Sequence, residues 1–264
     1  MTTTDTPKDA VLINRQDGVI QLTLNAPHNR NSLQSPGVYE GLVAGLDELE
    51  RDTHLRVAII TGAGGAFCSG GDLRTLAQGS EDAVRASMTR NTWLYRRIAL
   101  SDKLVLAAVD GPAYGAGLGL AAACDWVVAG STARFCCAFT RVGAMPDAAL
   151  FWSLPARVGV ARARRMMLWA TEVGGAEALV SGLADDHAAD GSALPLAQAW
   201  AGKVAQGPIR AYGRVKAGLR QAPMSIEQAL GFQLDNAPAL FASQDFKEGS
   251  AAFFEKRTPR FGQD

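Results

Sequence analysis

The stretch that decides the fold class is KLVLAAVDGPAYGAGLGLAAACD, residues 103–125. Its apolar run LVLAAV (104–109) is typical of a buried strand, and the small apolar LGLAAAC that follows the glycine-rich turn predicts a core helix. A comparable unit lies upstream, where the strand VAIITG (57–62) leads into the loop GAGGAFCSGGDL (62–73). The repeated order of strand, glycine loop and helix indicates an α/β core.

The flanking segments extend this pattern. VLI (11–13), a turn at Gln16-Asp17-Gly18 and VIQLTLN (19–25) predict a β-hairpin, and leucines at helical spacing after Pro36 predict a helix. Residues 81–100 predict another helix, DWVVAG and ARFCCAF predict strands, and the chain beyond about residue 160 is expected to be mainly helical. Capping boxes are predicted at Ser225–Gln228 and Asp245–Glu248.

Composition excludes several classes of partner. The 264 residues carry 26 Lys and Arg against 26 Asp and Glu, so no net charge favours nucleic acid or an anionic membrane. The four cysteines lack zinc-site spacing and indicate reduced thiols, and we expect no metal site. The N-terminal residues lack the apolar core of a secretory signal, and the apolar segment 111–124 is too short to cross a bilayer. We therefore expect a soluble, cytoplasmic protein.

Either glycine-rich loop could be an ordinary turn, and two functional interpretations are open. Dinucleotide binding is disfavoured, because Phe67 and Leu120 stand where the G-x-G-x-x-G fingerprint needs its third glycine. Alternatively, glycines allow main-chain amides to point at an anion, and two such loops that converge could hold the oxyanion of an enolate. Spacing alone leaves that convergence undecided.

Taken jointly, four segments resemble the crotonase (enoyl-CoA hydratase/isomerase) superfamily: GAFCSGGDL, KLVLAAVDGPAYGAGLGLAAACD, ARFCCAFTRVGAMPD and DFKEGSAAFFEKRTPRF. The resemblance runs from about residue 10 to the C-terminus. It implies a crotonase-like ββα spiral core over residues 1–200 and a C-terminal helical trimerisation region over residues 201–264. It also implies acyl-CoA thioester substrates, a homotrimer or homohexamer, and no cofactor other than the coenzyme A that the substrate carries.

The resemblance assigns roles to individual positions. The two amides that bind the oxyanion fall on Gly71 and Ala116, and the alternative for both is an ordinary turn. The remaining implied contacts are to coenzyme A, from the adenine-binding loop and from basic side chains: Ala66, Ser69, Asp72, Leu73, Arg30, Arg74 and Lys256. The alternative for the basic residues is a solvated surface charge, and Asp72 could instead cap the loop.

The chain departs from the family pattern where hydratases carry two glutamates. Gly119 stands at the first of these positions and Phe139 at the second. Hydration of a double bond needs an acid/base pair beside the water, and neither residue can move a proton, so ordinary hydratase activity is disfavoured. The family's usual Gly-Gly after the aspartate is assigned to Ala149-Leu150, which predicts a narrower or reshaped acyl pocket.

Asp147 is an isolated carboxylate in an otherwise apolar or neutral stretch between Arg141 and Arg157. Its context is similar to ring-epoxyphenylacetyl-CoA isomerases and dienoyl-CoA isomerases, in which an aspartate at this place shuttles the proton. A 4-chlorobenzoyl-CoA dehalogenase also resembles this stretch, but Thr92 and Phe139 replace the histidine and tryptophan that it needs. The structural alternative is a helix N-cap.

The sequence therefore predicts an acyl-CoA isomerase that moves a double bond. In this hypothesis the amides of Gly71 and Ala116 stabilise the enolate, and Asp147 acts as base and then as acid. A hydratase, hydrolase or ring-opening variant with another acid is the first alternative. A non-catalytic acyl-CoA-binding protein is the second. No basic stripe with interleaved aromatic residues supports nucleic-acid binding.

Overall fold

The computed structural model describes residues 10–262. The N-terminal segment for which we expect no secretory signal, residues 1–9, lies outside the described residues. Across the described range, no helix combines the length and the apolar character needed to cross a membrane.

The main sheet has six strands in the order β1-β2-β3-β4-β6-β9. The nine strands within residues 10–262 are β1 (Val11–Gln16), β2 (Val19–Leu24), β3 (Val57–Gly62), β4 (Leu104–Val109), β5 (Pro112–Tyr114), β6 (Trp126–Gly130), β7 (Arg134–Cys136), β8 (Glu172–Gly174) and β9 (Asp186–Ala188). Strands β1 and β2 form the predicted antiparallel hairpin, and the remaining pairs of this sheet are parallel. Asp17 and Gly18 both have positive φ (49° and 79°), as the tight two-residue hairpin turn requires.

In the described part of the chain, ten α-helices surround the sheets: α1 (Val38–Arg51), α2 (Leu73–Gln78), α3 (Glu81–Leu100), α4 (Ala116–Ala123), α5 (Leu150–Trp169), α6 (Gly175–Ser181), α7 (Ala193–Ala205), α8 (Ile209–Leu219), α9 (Ile226–Phe241) and α10 (Gln244–Glu255). Helix α3 occupies the predicted range 81–100, and Ser80 caps it by accepting from the Ala83 amide.

Both faces of the main sheet are covered. On one face, Leu42, Leu46 and Leu49 of α1 are at most 1% exposed and belong to the large core cluster with Ile20 and Leu22 of β2. On the other face, the alanines of α7 pack in a second cluster against Val57, Ile59, Leu106, Ala108 and Val128. Alternate residues of a strand point to opposite faces, so continuous apolar runs such as LVLAAV suit strands that are buried on both sides.

A second, smaller sheet has three strands in the order β5-β7-β8. Its first strand, β5, follows the main-sheet strand β4 in sequence. Cys68 joins β5 through an isolated parallel bridge to Ala113, so the glycine-rich loop after β3 is held against β5. This bridge brings the two predicted loops to the same place.

The α/β class with a helical C-terminal part is confirmed. The capping box at Ser225 is present, with both reciprocal bonds to Gln228. The one at Asp245 is wrong, because α10 begins at Gln244 and its cap is Ser243. Short strands β8 and β9 also interrupt the region expected to be mainly helical. The division between residues 200 and 201 falls inside α7 and stays a prediction.

Candidate active site

The two glycine-rich loops converge. The Cys68 amide donates to the Pro112 carbonyl, and the Cys68 carbonyl accepts from the Tyr114 amide, each at 3.0 Å. This pairing runs the 68–71 segment alongside β5 and ends it next to the N-terminus of α4. The structure thus brings Gly71 and Ala116, which are far apart in sequence, to the same place.

Two glycines allow this close approach. A Cβ added to Gly70, where φ is +85°, would lie 2.8 Å from the Ala116 nitrogen and 2.7 Å from the Tyr114 carbonyl oxygen. A Cβ added to Gly117 would lie 2.1 Å from the Cys68 carbonyl oxygen. Real Cβ atoms do not tolerate such distances, so both positions require glycine in this backbone.

The amides of Gly71 and Ala116 have no hydrogen-bond acceptor within residues 10–262. Ala116 is the first residue of α4, and the partial positive charge of the helix N-terminus adds to the field at its amide. Unpaired main-chain donors that converge at a helix N-terminus suit an oxygen that carries negative charge. This geometry supports the role that the resemblance implies for both amides.

The loop that includes Arg30 and Asn31 fixes the first glycine-rich loop, and sequence reasoning missed this role of Asn31. The Asn31 side-chain amide donates to the carbonyls of Ala63 (2.8 Å) and Ala66 (2.7 Å), and its oxygen accepts from the Ala26 amide. The Gly70 carbonyl accepts from the Leu33 amide at 2.9 Å. Asn31 is fully buried with its side-chain amide and oxygen hydrogen-bonded, so it fixes the conformation of the glycine-rich loop. Nothing in the polar run NRNS (29–32) indicates from sequence that Asn31 has this role.

Asp147 and Ala116 line the same cavity, which has a volume of about 670 Å³. The carboxylate is half-buried, and its Oδ1 atom is buried without a hydrogen-bond partner in the described part of the chain. Burial raises the pKa of the Asp147 carboxyl above the ordinary value, opposed by its own backbone amide. A carboxylate with an unpaired oxygen and a raised pKa is suited to accept a proton.

The alternative role of Asp147 as a helix N-cap is not what the structure shows. Helix α5 begins at Leu150, its N-cap position is Ala149, and no side chain caps it. The Leu150 amide donates to the main-chain carbonyl of Asp147, not to its carboxylate. The side chain is therefore free of a capping bond.

The assignment of the family's Gly-Gly to Ala149-Leu150 stays a prediction, and the structure shows where these two side chains lie. The two residues in left-handed conformation are Ala148 (φ 55°) and Ala149 (φ 58°), whereas Leu150 starts α5 and is fully buried. Ala148 and Ala149 line the cavity, and Leu150 does not. Of the assigned pair, only Ala149 therefore faces the cavity, whereas the Leu150 side chain belongs to the hydrophobic core.

The structure explains why no glutamate stands at position 119. A Cβ at Gly119 would lie 2.5 Å from both the Cβ and the carbonyl oxygen of Ala148, so the turn after Asp147 occupies that space. At the second glutamate position, the Phe139 ring lies 3.8 Å from the place of a Cβ on Gly115. An aromatic ring therefore borders the oxyanion loop where a second acid would be needed.

Except for Lys256, the residues expected to contact coenzyme A lie on the first glycine-rich loop or directly next to it. The Arg30 carbonyl accepts from the Ser69 amide at 2.9 Å, which places these two residues together, and Ala66 is buried beside them. Leu73 and Arg74 are exposed at the start of α2. Lys256 ends α10 in a left-handed conformation and is exposed. Contacts of these residues to coenzyme A stay predictions.

Asp72 is a helix cap in this structure. Its carboxylate accepts from the Arg74 amide at 3.0 Å and from the Thr75 hydroxyl at 3.3 Å, and its own amide donates to Gln34. Its carbonyl accepts from the Leu76 amide at 3.0 Å. The capping alternative therefore describes the Asp72 side chain, and its contact to coenzyme A stays a prediction.

Helix α3 forms the opposite wall of the cavity, and sequence reasoning missed this wall. Tyr95 is buried and donates to the Ala116 carbonyl at 3.4 Å, and burial raises the pKa of its phenol well above the ordinary value. Arg96 and Arg220 also line the cavity. Thr92 lies on this wall too, at the place where the dehalogenase needs its histidine. The helix was predicted, but its face toward the site was not.

Cys68 is buried next to the oxyanion loop, and burial raises its pKa to about 12, which disfavours a nucleophilic thiolate. All four cysteines are free and buried. Within residues 10–262, no group of three or more His, Cys, Asp or Glu side chains is arranged to hold a metal ion.

Comparisons with known proteins agree with this geometry. The sequence profile of the enoyl-CoA hydratase/isomerase family matches residues 14–264. A Rhodobacter capsulatus protein named as a probable enoyl-CoA hydratase is 39% identical, covering 93% of this chain and 95% of its own. The 1,2-epoxyphenylacetyl-CoA isomerase of Escherichia coli is 33% identical, covering 95% and 97%. The crystal structure of an enoyl-CoA hydratase from Polaromonas sp. JS666 superposes with a TM-score of 0.90 at 30% identity, covering 96% and 99%.

Proposed function

Because the chain belongs to the enoyl-CoA hydratase/isomerase family, we propose that it is an acyl-CoA isomerase that moves a carbon–carbon double bond. Its substrate would be an enoyl or dienoyl thioester, including cyclic ones. Asp147 would carry the proton, and the amides of Gly71 and Ala116 would bind the thioester oxygen.

One observation carries the proposal. Asp147 is the one carboxylate that lines the cavity in the described part of the chain, and glycine and phenylalanine occupy both positions where hydratases carry glutamate. Hydration requires two groups that position and activate a water molecule, whereas double-bond migration requires one group that removes and returns a proton. The set of side chains supports the second reaction.

The reaction begins when ionised Asp147 removes a proton from the α-carbon of a β,γ-unsaturated thioester. The electron pair of that C–H bond forms the enolate, whose oxygen accepts hydrogen bonds from both amides. Losing one such donor costs on the order of 3 kcal/mol of transition-state stabilisation. The protonated Asp147 then gives its proton to the γ-carbon, the double bond moves to the α,β position, and the carboxylate is regenerated.

Burial of Asp147 supports both halves of this cycle. An aspartate with an ordinary pKa would be a weak base toward carbon, and a raised pKa strengthens it. The scheme uses neither a metal ion nor a redox group, because the proton transfer is redox-neutral and the two amides stabilise the enolate. Coenzyme A arrives with the substrate.

The name of the Rhodobacter relative keeps a hydratase as the second candidate. It would need an acid other than the two missing glutamates, and no second carboxylate within residues 10–262 lines the cavity. A non-catalytic acyl-CoA-binding protein is the third candidate.

We also expect the chain to assemble as a trimer or hexamer. Large apolar side chains of the C-terminal helices are exposed in the single chain, among them Leu234, Phe241, Phe253 and Phe254 at 62% or more. Exposed apolar surface of this extent is typical of protein–protein interfaces. Sedimentation of the purified protein measures the assembly.

The experiment that tests the proposed reaction is identification of the product by mass. The protein is incubated with β,γ-enoyl, α,β-enoyl and dienoyl thioesters of coenzyme A. The products are separated by chromatography and identified by mass spectrometry. Isomerisation gives a product of unchanged mass and shifted ultraviolet absorbance. A product heavier by one water supports the hydratase, release of free coenzyme A supports a hydrolase, and binding without conversion supports the non-catalytic alternative; each of these contradicts the proposal.

A further inference from the structure

The cavity that contains Asp147 is also lined by two arginines that have no role in the proposed reaction. Its charged lining groups are Asp147, Arg96 and Arg220. Neither arginine forms an ion pair with a carboxylate in the described residues, and burial rather than a nearby cation accounts for the perturbed pKa of Asp147. Arg220 is half-buried and Arg96 is exposed at the cavity mouth. Guanidinium groups that line a cavity without a carboxylate partner are available to bind an anionic group of a ligand.

The positions of the arginines can be related to the reacting end of the cavity. Tyr95 marks that end, because its hydroxyl bonds to the Ala116 carbonyl beside the proposed oxyanion site. Ala99 lies four residues further along α3, about 6 Å along the helix axis. The Arg220 guanidinium donates to the Ala99 carbonyl at 3.2 Å, so it stands roughly one helical turn beyond the reacting end.

Arg96 stands on the same wall of α3. Arg96 and Ala99 are three residues apart, so they share one face of the helix. The bond to Ala99 leaves further N–H donors of Arg220 free for a ligand. Guanidinium groups bind carboxylates through paired, charge-assisted hydrogen bonds.

The rest of the lining suits a carbon chain that leads to these cations. Met88, Leu100 and Trp152 supply apolar surface, and Ala148 and Ala149 narrow the cavity near Asp147. Five residues of the loop segment that are expected to contact coenzyme A do not line this cavity: Ala66, Ser69, Asp72, Leu73 and Arg74. The arginines are therefore on the acyl side of the thioester and not on the phosphate side.

We propose that the acyl group carries a carboxylate at its far end, which Arg96 and Arg220 bind. The inference rests on the proposed function, since it places the thioester at Gly71 and Ala116 and the acyl chain beside Asp147. The substrate class is then the CoA monothioester of a short unsaturated dicarboxylic acid. The arginines fix the chain at its free end and so hold the reacting carbons against the carboxylate of Asp147.

The test compares two saturated ligands of equal chain length, adipyl-CoA and hexanoyl-CoA, which differ in the terminal carboxylate. Calorimetry on the full chain measures the Kd of each for the native protein, the Arg96→Gln, Arg220→Gln double variant, and Arg164→Gln. Arg164 is the matched control, because it is an exposed arginine on α5 that does not line the cavity.

The native protein is expected to bind adipyl-CoA about 10- to 100-fold more tightly than hexanoyl-CoA, as two charge-assisted contacts predict. The double variant should abolish this preference by weakening adipyl-CoA alone, and Arg164→Gln should preserve it. Equal affinities in the native protein overturn the inference, and so does a double variant that weakens both ligands alike. Neither ligand contains a double bond, so this binding test is independent of the reaction. A protein that prefers adipyl-CoA but isomerises none of the enoyl and dienoyl thioesters in the product-mass assay would refute the proposed reaction and leave the specificity standing.

Discussion

Substituting Gly70 by alanine perturbs the contact that joins the two oxyanion loops. The new Cβ would lie 2.7 Å from the Tyr114 carbonyl oxygen and 2.8 Å from the Ala116 nitrogen, which is one of the two proposed donors. Neither atom belongs to a flexible side chain, so the backbone itself must shift. We expect the two amides to move apart.

The magnitude has two separable parts. An alanine at φ +85° costs about 1–2 kcal/mol of folding stability from left-handed strain alone. Displacing one donor from the developing oxyanion should lower kcat by on the order of 100- to 1,000-fold.

Gly65→Ala separates these parts. Gly65 lies in the same loop with φ +78°, and a Cβ there meets nothing within 4 Å. Both variants should lose stability from left-handed strain in thermal unfolding, and Gly70→Ala should lose more because its Cβ also displaces the backbone. Only Gly70→Ala should lose kcat for double-bond migration. If the two variants have the same kcat, or if Gly70→Ala retains native kcat, the proposed role of the converging amides is refuted.

Three further predictions concern the segment around Asp147. Gly119→Glu, alone or with Phe139→Glu, should give no hydrated product by mass and should lower the melting temperature, since its Cβ overlaps Ala148 at a cost of about 1–3 kcal/mol. Ala149→Gly should raise the free energy of unfolding in urea by about 0.5–1 kcal/mol, because it relieves left-handed strain at φ 58°; unchanged or lower stability would contradict this. The kcat/KM profile should rise with pH through an inflection above the ordinary aspartate value of 3.8, because Asp147 acts ionised and burial raises its pKa. An inflection of this profile at or below 3.8 would contradict the prediction. Because the pKa of Asp147 is higher in the folded than in the unfolded state, the native protein should lose stability as pH rises between the two pKa values, and Asp147→Asn should remove this loss.

The fold could be predicted where local pattern and tertiary structure agree. The hairpin at Asp17-Gly18 and the helix 81–100 combine turn or capping residues with clear periodicity, and the structure has them at these places. The capping box at Asp245 failed because Ser243, two residues earlier, offers a competing cap. Strands β8 and β9 have three residues each and depend on neighbours distant in sequence, so no local pattern marks them.

The candidate site could be predicted in part, for a similar reason. Gly71, Ala116 and Asp147 lie in segments with distinctive sequence, and the structure brings them together. Arg220 reaches the cavity from the end of α8, and no motif links it to α3. The left-handed conformation of Ala148 and Ala149 was not predicted, because alanine carries no local signal for positive φ; in the structure this turn packs against Gly119.

The most direct test of the account is the rate of double-bond migration by Asp147→Asn at saturating thioester. The amide keeps the size of the side chain but cannot take a proton from carbon, so we expect kcat to fall by about 100- to 10,000-fold. The Kd of a saturated thioester such as hexanoyl-CoA should stay close to that of the native protein, which shows that the site is intact. A variant that binds normally and still isomerises within a few-fold of the native rate would contradict the assignment of Asp147 as the group that carries the proton.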